Sequence, residues 1–206
     1  MKLRKSGRIL LTVIMSLALL SCGEKPKPEL SVESYTELNT VLKLPPVYVP
    51  GGSWTEADIP AALFLGAKPF TFPATFTSVN SKFTIDPKAS DTQMTAEGVM
   101  TATLLYDGCA CGTITLYDCP SETDYISGKI HEIIFRDLGR SDLPAPSLFP
   151  IAFNGVTIGS SAEQVKENLG IALDAAGIEI QTSRHIIRLD GSLTDGVTKI
   201  TLTSVL

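Results

Sequence analysis

Apolar and polar residues alternate with a period of two through the middle and the end of this 206-residue chain, a pattern that strands satisfy and helices do not. Met100, Ala102, Leu104 and Tyr106 would share one face of a strand, with Thr101 and Thr103 on the other. Residues 112–117 and 129–136 read as further strands. Residues 184–189 place His185, Ile187 and Leu189 on one face, and residues 198–206 place Ile200, Leu202 and Leu206 inward with Lys199, Thr201 and Thr203 outward. Phe70, Phe72 and Phe76 with Phe83 and Ile85 suggest shorter strands before them. Asp107-Gly108 is a hairpin-turn signal, because both residues tolerate the positive φ that a tight antiparallel turn needs. The 21 threonines suit half-exposed strands. With 44% apolar and 19% charged residues, the chain has enough material for a real core. The expected class is α+β: mainly antiparallel sheet with one or two short helices.

The clearest helix starts at Ser160-Ser161. Glu163 and Gln164 stand where a capping box wants them, Ala162, Val165 and Leu169 form an apolar stripe, and Gly170 suits the left-handed residue that ends a helix. Residues 31–44 predict a short amphipathic helix carrying Tyr35, Leu38, Val41 and Leu42 on one side. Ser53-Trp54-Thr55-Glu56 reads as a second capping box, with Pro60 keeping any helix after it short. Residues 44–52 hold Pro45, Pro46, Pro50 and Gly51-Gly52, so they read as a linker or edge segment. A second boundary, 137–150, carries Gly139, Pro144, Pro146 and Pro150.

The first residues carry an address. Lys2, Arg4, Lys5 and Arg8 precede the apolar run Ile9 to Leu20, which at about a dozen residues is too short to span a hydrocarbon core needing about 20. Leu19-Leu20-Ser21-Cys22 follows and resembles the lipobox of bacterial lipoproteins; with Gly23 it is similar to those of the Bacteroidetes. The resemblance implies a signal peptide over 1–21, acylation of Cys22, and an outer-membrane protein facing the periplasm or the cell surface. Two or three acyl chains at about 0.8 kcal/mol per buried CH₂ would hold such a protein almost permanently. Loss of the four cations would take the net charge from −5 to −9. A basic nucleic-acid surface is excluded, and a body of this charge would be tethered to an anionic membrane without lying on it. The expected organisation is lipidated Cys22 and tether over 22–52, a β-rich unit over 53–140, and a helix-plus-strands unit over 141–206 packed on the first.

Ile151-Ala152-Phe153-Asn154-Gly155-Val156-Thr157-Ile158-Gly159-Ser160-Ser161-Ala162-Glu163-Gln164-Val165, with Leu169-Gly170 and later Gly196-Val197-Thr198-Lys199-Ile200-Thr201-Leu202, is similar to two groups of small helix-plus-sheet domains. One is the outer-membrane assembly lipoproteins of the SmpA/OmlA type, the other the β-lactamase-inhibitor-like repeat. Gly128-Lys129-Ile130-His131-Glu132-Ile133-Ile134-Phe135 echoes the last element, which suggests a degenerate two-unit repeat. The resemblance covers about the last quarter of the chain and implies binding to another protein, without a catalytic constellation or cofactor.

Chemistry-bearing residues are few. With Cys22 lipidated, Cys109, Cys111 and Cys119 remain, an odd number for an exported protein. They leave open buried thiols or one bridge from Cys119 to Cys109 or Cys111. Cys109, Cys111, Cys119 and His131 are together a remote candidate zinc set, although the first pair lacks the usual knuckle spacing. His131-Glu132 is no zinc-protease motif, since Phe135 stands where the second His would be. His131 and His185 both sit in strand patterns, and no nucleophile elbow or Gly-rich phosphate loop occurs; Gly191 to Gly196 has P-loop length but Val197 in place of its Lys. Trp54, the single Trp, reads as a core residue or one exposed contact. The expected function is a non-catalytic interaction or accessory module anchored in the envelope. The alternatives are a ligand- or glycan-binding lipoprotein and, remotely, a zinc-dependent enzyme.

Overall fold

A computed structural model describes residues 29–79, 81–86 and 92–205; the expected signal segment, Cys22, the expected tether up to residue 28 and Leu206 lie outside them. The elements run α1 (Val32–Leu42), α2 (Ile59–Ala62), β1 (Leu63–Leu65), β2 (Lys68–Pro69), β3 (Phe83–Ile85), β4 (Gln93–Met94), β5 (Met100–Tyr106), β6 (Cys109–Tyr117), β7 (Lys129–Arg136), β8 (Ile151–Phe153), α3 (Ala162–Leu169), β9 (Ile178–Gln181), β10 (His185–Ser192) and β11 (Gly196–Ser204). The fold is α+β, and every strand pairing among the described residues is antiparallel.

Eight strands form one sheet in the order β3-β5-β6-β7-β11-β10-β9, with β4 also on β5; β2-β1-β8 form a small second sheet. The decisive pairing is β7 with β11, Phe135 opposite Ile200 and Ile133 opposite Leu202. It joins residues 129–136 to residues 196–204 inside one ladder. The small sheet likewise pairs Leu63 with Phe153. The expected boundary at 137–150 therefore divides neither sheet nor core. The two stretches are halves of one folded unit, because each alone would leave an apolar sheet edge and face uncovered.

Alternation sorts the large sheet into two faces. Met100, Leu104, Ile114, Leu116, Ile133, Phe135, Ile187, Leu189, Ile200 and Leu202 are buried, and one continuous cluster links them to Leu63, Leu65 and Phe153 of the small sheet and to Leu38, Val165 and Leu169 of the helices. Each such side chain contributes roughly 1.5–3 kcal/mol by leaving water.

Local signals act where the sequence places them. Ser161 accepts from the Gln164 N–H while the Gln164 side chain accepts from the Ser161 N–H, and Gly170 ends α3 at φ 70°. Asp107 and Gly108 turn β5 into β6 at φ 52° and 81°. Ser31 caps α1, and Asp107 ties that cap to the β5–β6 hairpin, accepting from the Ser31 N–H at 2.7 Å and the Ser34 hydroxyl at 2.9 Å. Three expectations fail. Tyr35 faces solvent, since Ser34 and Leu38 are the residues α1 buries. Residues 70–76 are irregular because their chain is pinned at separate points, the Phe70 N–H to Leu63 and the Phe76 N–H to Gly128. No helix starts at Ser53, and Glu56 is used elsewhere.

Residues 44–52 are docked rather than a free linker. Asn154, in the β8 turn with φ 51°, accepts from the Val47 N–H at 2.6 Å and donates to the carbonyls of Val47 at 3.1 Å and Asn168 at 2.6 Å. One amide side chain thus holds the Pro-rich segment, the turn and the end of α3 together. The part of the expected tether from residue 29 to residue 52 belongs to the folded unit.

Candidate functional site

The outward face of the large sheet displays an ordered set of side chains. Register alone assembles two rows across six strands. The first runs Thr103, Thr113, Ile134, Thr201, Arg188 and Glu179; the second runs Thr101, Thr115, Glu132, Thr203, Ile186 and Gln181. All are half-buried or exposed except Thr103, whose hydroxyl takes a hydrogen bond from Arg140 at 3.3 Å. Such partial exposure is what side-by-side neighbours on an uncovered sheet face produce.

The face is chemically graded. At the β9–β10–β11 end, Arg188 meets Asp190 at 2.8 Å and Glu179 at 3.6 Å, and Lys199 meets Asp190 at 2.8 Å. Desolvation raises the Asp190 carboxyl, but Lys199 and Arg188 outweigh it and hold the group below its ordinary range. Across the middle run hydroxyls, Ile134 and Glu132, with Thr101 and Thr115 at 3.4 Å. At the β6–β7 end Tyr117 stacks on His131, centroids 4.6 Å apart and planes 12° from parallel. A register shift causes this arrangement. Thr115 faces Glu132 but Leu116 faces Ile130, so His131 is an extra residue bulged beside Glu132. The Nδ1 of His131 is buried with no hydrogen-bond partner.

The cysteines and histidines singled out in the sequence are not brought together. Cys109, Cys111 and Cys119 are buried, and no disulfide joins them, so Cys119 pairs with neither Cys109 nor Cys111. The extended β6 separates them: the Cys111 thiol meets the Leu104 carbonyl at 3.4 Å, and Cys119 lies beyond the strand's other end, its amide bonded to Gly98. His131 is turned to the Tyr117 ring. The remote zinc set is therefore not assembled, and among the described residues no group of three or more His, Cys, Asp or Glu is placed to hold a metal ion. Burial pushes the thiols of Cys109 and Cys119 up and that of Cys111 well up, and Asp107 and Asp118 add to this at Cys109 and Cys119. Since the thiolate is the reactive form, alkylation of these three residues should run at least about a hundredfold slower in the native protein than in denaturant. Peptide mapping after pulsed labelling measures it; rapid native labelling at any of the three would contradict the burial.

His185 cannot serve as a general base in this fold. Its Nε2 accepts from the Phe72 N–H at 2.9 Å and its Nδ1 faces Glu56 at 3.1 Å, leaving no nitrogen for a nucleophile. Glu56, expected as a capping residue, also accepts from the Thr182 hydroxyl at 2.7 Å and the Arg184 N–H at 3.2 Å. Trp54 is a core residue at 7% exposure, 4.8 Å from the Phe153 ring. Residues 191–196 are the paired strand ends and the turn of the β10–β11 hairpin, where the Ser192 hydroxyl donates to Asp195 at 2.8 Å. No sequence signal paired Glu56 with His185 or Tyr117 with His131, for these partners lie far apart or across a bulge. Missed local signals are Asn154-Gly155 and Gly66-Ala67, turn dipeptides with both φ values positive.

No protein-family model, curated protein or solved structure matches the chain. Among the described residues no helix is long and apolar enough to cross a membrane.

Proposed function

We propose that this protein is a lipid-anchored component of the bacterial cell envelope, held in the outer membrane through Cys22, and that it works there as a non-catalytic module. Its partner is another envelope protein, docked on the outward face of the large sheet. The observation that carries this reading is the face itself: two ordered rows across six strands, half-exposed threonines and isoleucines around Glu132, with a cluster of Arg188, Glu179, Asp190 and Lys199 at one end. The lipobox residues support the anchor, and the resemblance of the last quarter to envelope assembly domains supports a protein partner. The occupation of both His185 nitrogens and the burial of the thiols fit a module that performs no chemistry.

Crosslinking the full-length protein in its native envelope, followed by identification of what co-purifies, tests the reading. A partner recovered from the intact protein should be lost when Cys22→Ala releases it from the membrane. A Thr115→Arg, Thr203→Arg double variant should fold, since both side chains point outward, yet reduce the crosslink at least tenfold. A protein that crosslinks to nothing overturns the protein-partner reading. Retention of that lone protein on envelope polysaccharide would assign the face to a glycan, for which the Tyr117–His131 stack is the relevant observation.

A further inference from the structure

We infer that His185 is a proton-operated latch that holds the Phe70–Phe72 segment shut over the core while neutral and releases it when doubly protonated. This inference stands apart from the lipid anchor and from the sheet face.

The geometry admits one protonation state. The Phe72 N–H donates to Nε2 at 2.9 Å, so Nε2 must carry a lone pair. The hydrogen then sits on Nδ1 and donates to Glu56, whose carboxylate oxygens lie 3.1 and 3.2 Å away. A second proton, taken from solvent, can add only to the Nε2 lone pair. Two N–H donors would then face each other, and the Phe72 amide must leave. The imidazole is fully buried, so water cannot relieve the conflict in the closed form.

The segment that would move has few other ties. The Phe70 amide bonds to Leu63, the Ala74 carbonyl accepts from the Ile130 N–H at 2.8 Å, Thr75 bridges Lys129, and between Phe70 and Ala74 the Phe72 amide is fastened by the histidine. Phe72 is 1% exposed and lies 5.0 Å from Phe70 and 5.2 Å from the imidazole, so release would open an aromatic corner of the core. The other side of the latch is firm. Glu56 anchors the imidazole and the β9–β10 turn together through Thr182, Ser183 and Arg184. Glu56 and Arg184 are the charged groups facing the ring among the described residues. Burial holds the imidazole below the ordinary histidine range, Glu56 pulls it back up in part, and Arg184 pushes it down. Glu56 is itself below its ordinary range: desolvation raises it, and the Thr182 and His185 hydrogen bonds outweigh that.

The sign follows from linkage. Both groups bind protons more readily in the open or unfolded chain than in the closed one, so closure is favoured at neutral pH. It weakens as pH falls below about 6.5, the ordinary histidine value, and weakens further below the ordinary carboxylate range.

Hydrogen exchange at the Phe72 amide, corrected for the intrinsic rate, tests the latch between about pH 7.5 and about pH 4.5. Wild-type protection should fall at least tenfold at Phe72, ahead of the strands β6, β7 and β11. In His185→Gln the side-chain oxygen can accept from the Phe72 N–H and the amide nitrogen can donate to Glu56, which leaves Glu56 as the titrating group at this site. Its Phe72 protection should change by no more than about twofold over the same range. Should that variant fail to fold, ¹⁵N shifts of the wild-type imidazole decide, with a bare Nε2 expected at neutral pH and double protonation coinciding with loss of Phe72 protection. Constant Phe72 protection in the wild type, or an equal decline in a folded His185→Gln, overturns the latch.

Discussion

Gly112→Ala will prevent the large sheet from forming, with an expected loss of about 4 kcal/mol or more, enough to leave a domain of ordinary stability largely unfolded. Gly112 lies in β6 between Leu104 of β5 and Phe135 of β7, at the centre of the sheet. A Cβ built there would stand 1.9 Å from the Ile134 carbonyl oxygen and 2.9 Å from its carbon. Both are backbone atoms of a paired strand, so no side chain can rotate away, and the two ladders that meet at this residue would have to separate. The expected result is insoluble expression, or a denaturant midpoint far below that of the wild type. Gly139→Ala is the contrast. Its φ is also positive, but nothing lies within 4 Å of the added carbon, so only backbone strain of about 1–2 kcal/mol applies. Equal midpoints for Gly112→Ala and the wild type would mean that β6 and β7 do not approach as described.

Asn154→Ala should cost about 3 kcal/mol and detach residues 44–49 from the body. The side chain is 97% buried and makes all three of its hydrogen bonds to backbone, one accepted from and one donated to Val47 and one donated to Asn168. Alanine loses them all and places a Cβ at a positive φ that asparagine tolerates better. Asn154→Gly separates the two contributions, since it relieves the backbone but makes no bonds; it should recover only a minor part. Asn154→Asp should not rescue, because a carboxylate oxygen would then face the Val47 and Asn168 carbonyls where the amide donated. Urea midpoints measure the stability. Limited proteolysis near Tyr48, which is 87% exposed, reports the detachment. An Asn154→Ala protein with wild-type midpoint and unchanged cleavage would show that the segment is held by other contacts.

The contrast between these residues shows where sequence reading stops. Asp107-Gly108, Ser161 with Gln164, and Gly170 are legible because each acts on backbone groups within four residues of itself. The faces of β5, β10 and β11 are legible for a related reason: alternation depends only on neighbours along one strand. Glu56 illustrates the limit. Three residues after Ser53 it satisfies the pattern of a capping box, but a carboxylate that reaches His185, Thr182 and Arg184 across the fold gains charge-assisted bonds that a short Pro60-limited helix could not offer. Ser53-Trp54-Thr55 is then free to follow the burial of Trp54. Tyr35 fails similarly, because α1 turns to place Ser34 on Asp107 and Leu38 in the core. The outward face was legible as separate threonines and never as a surface, since the register between strands decides which residues become neighbours.

By itself the sequence determined the α+β class, the inside and outside of β5, β10 and β11, the capped helix α3 and the β5–β6 turn. All of these follow from conformational preferences within a few residues. Tertiary structure alone decided that β7 pairs with β11, which merges the two apparent units, and that a bulge sets His131 against Tyr117. It alone decided that Asn154 captures the Pro-rich segment and that Glu56 meets His185. These outcomes depend on which apolar faces can be buried together and which buried polar groups find partners, a competition among residues tens of positions apart that local preference does not settle.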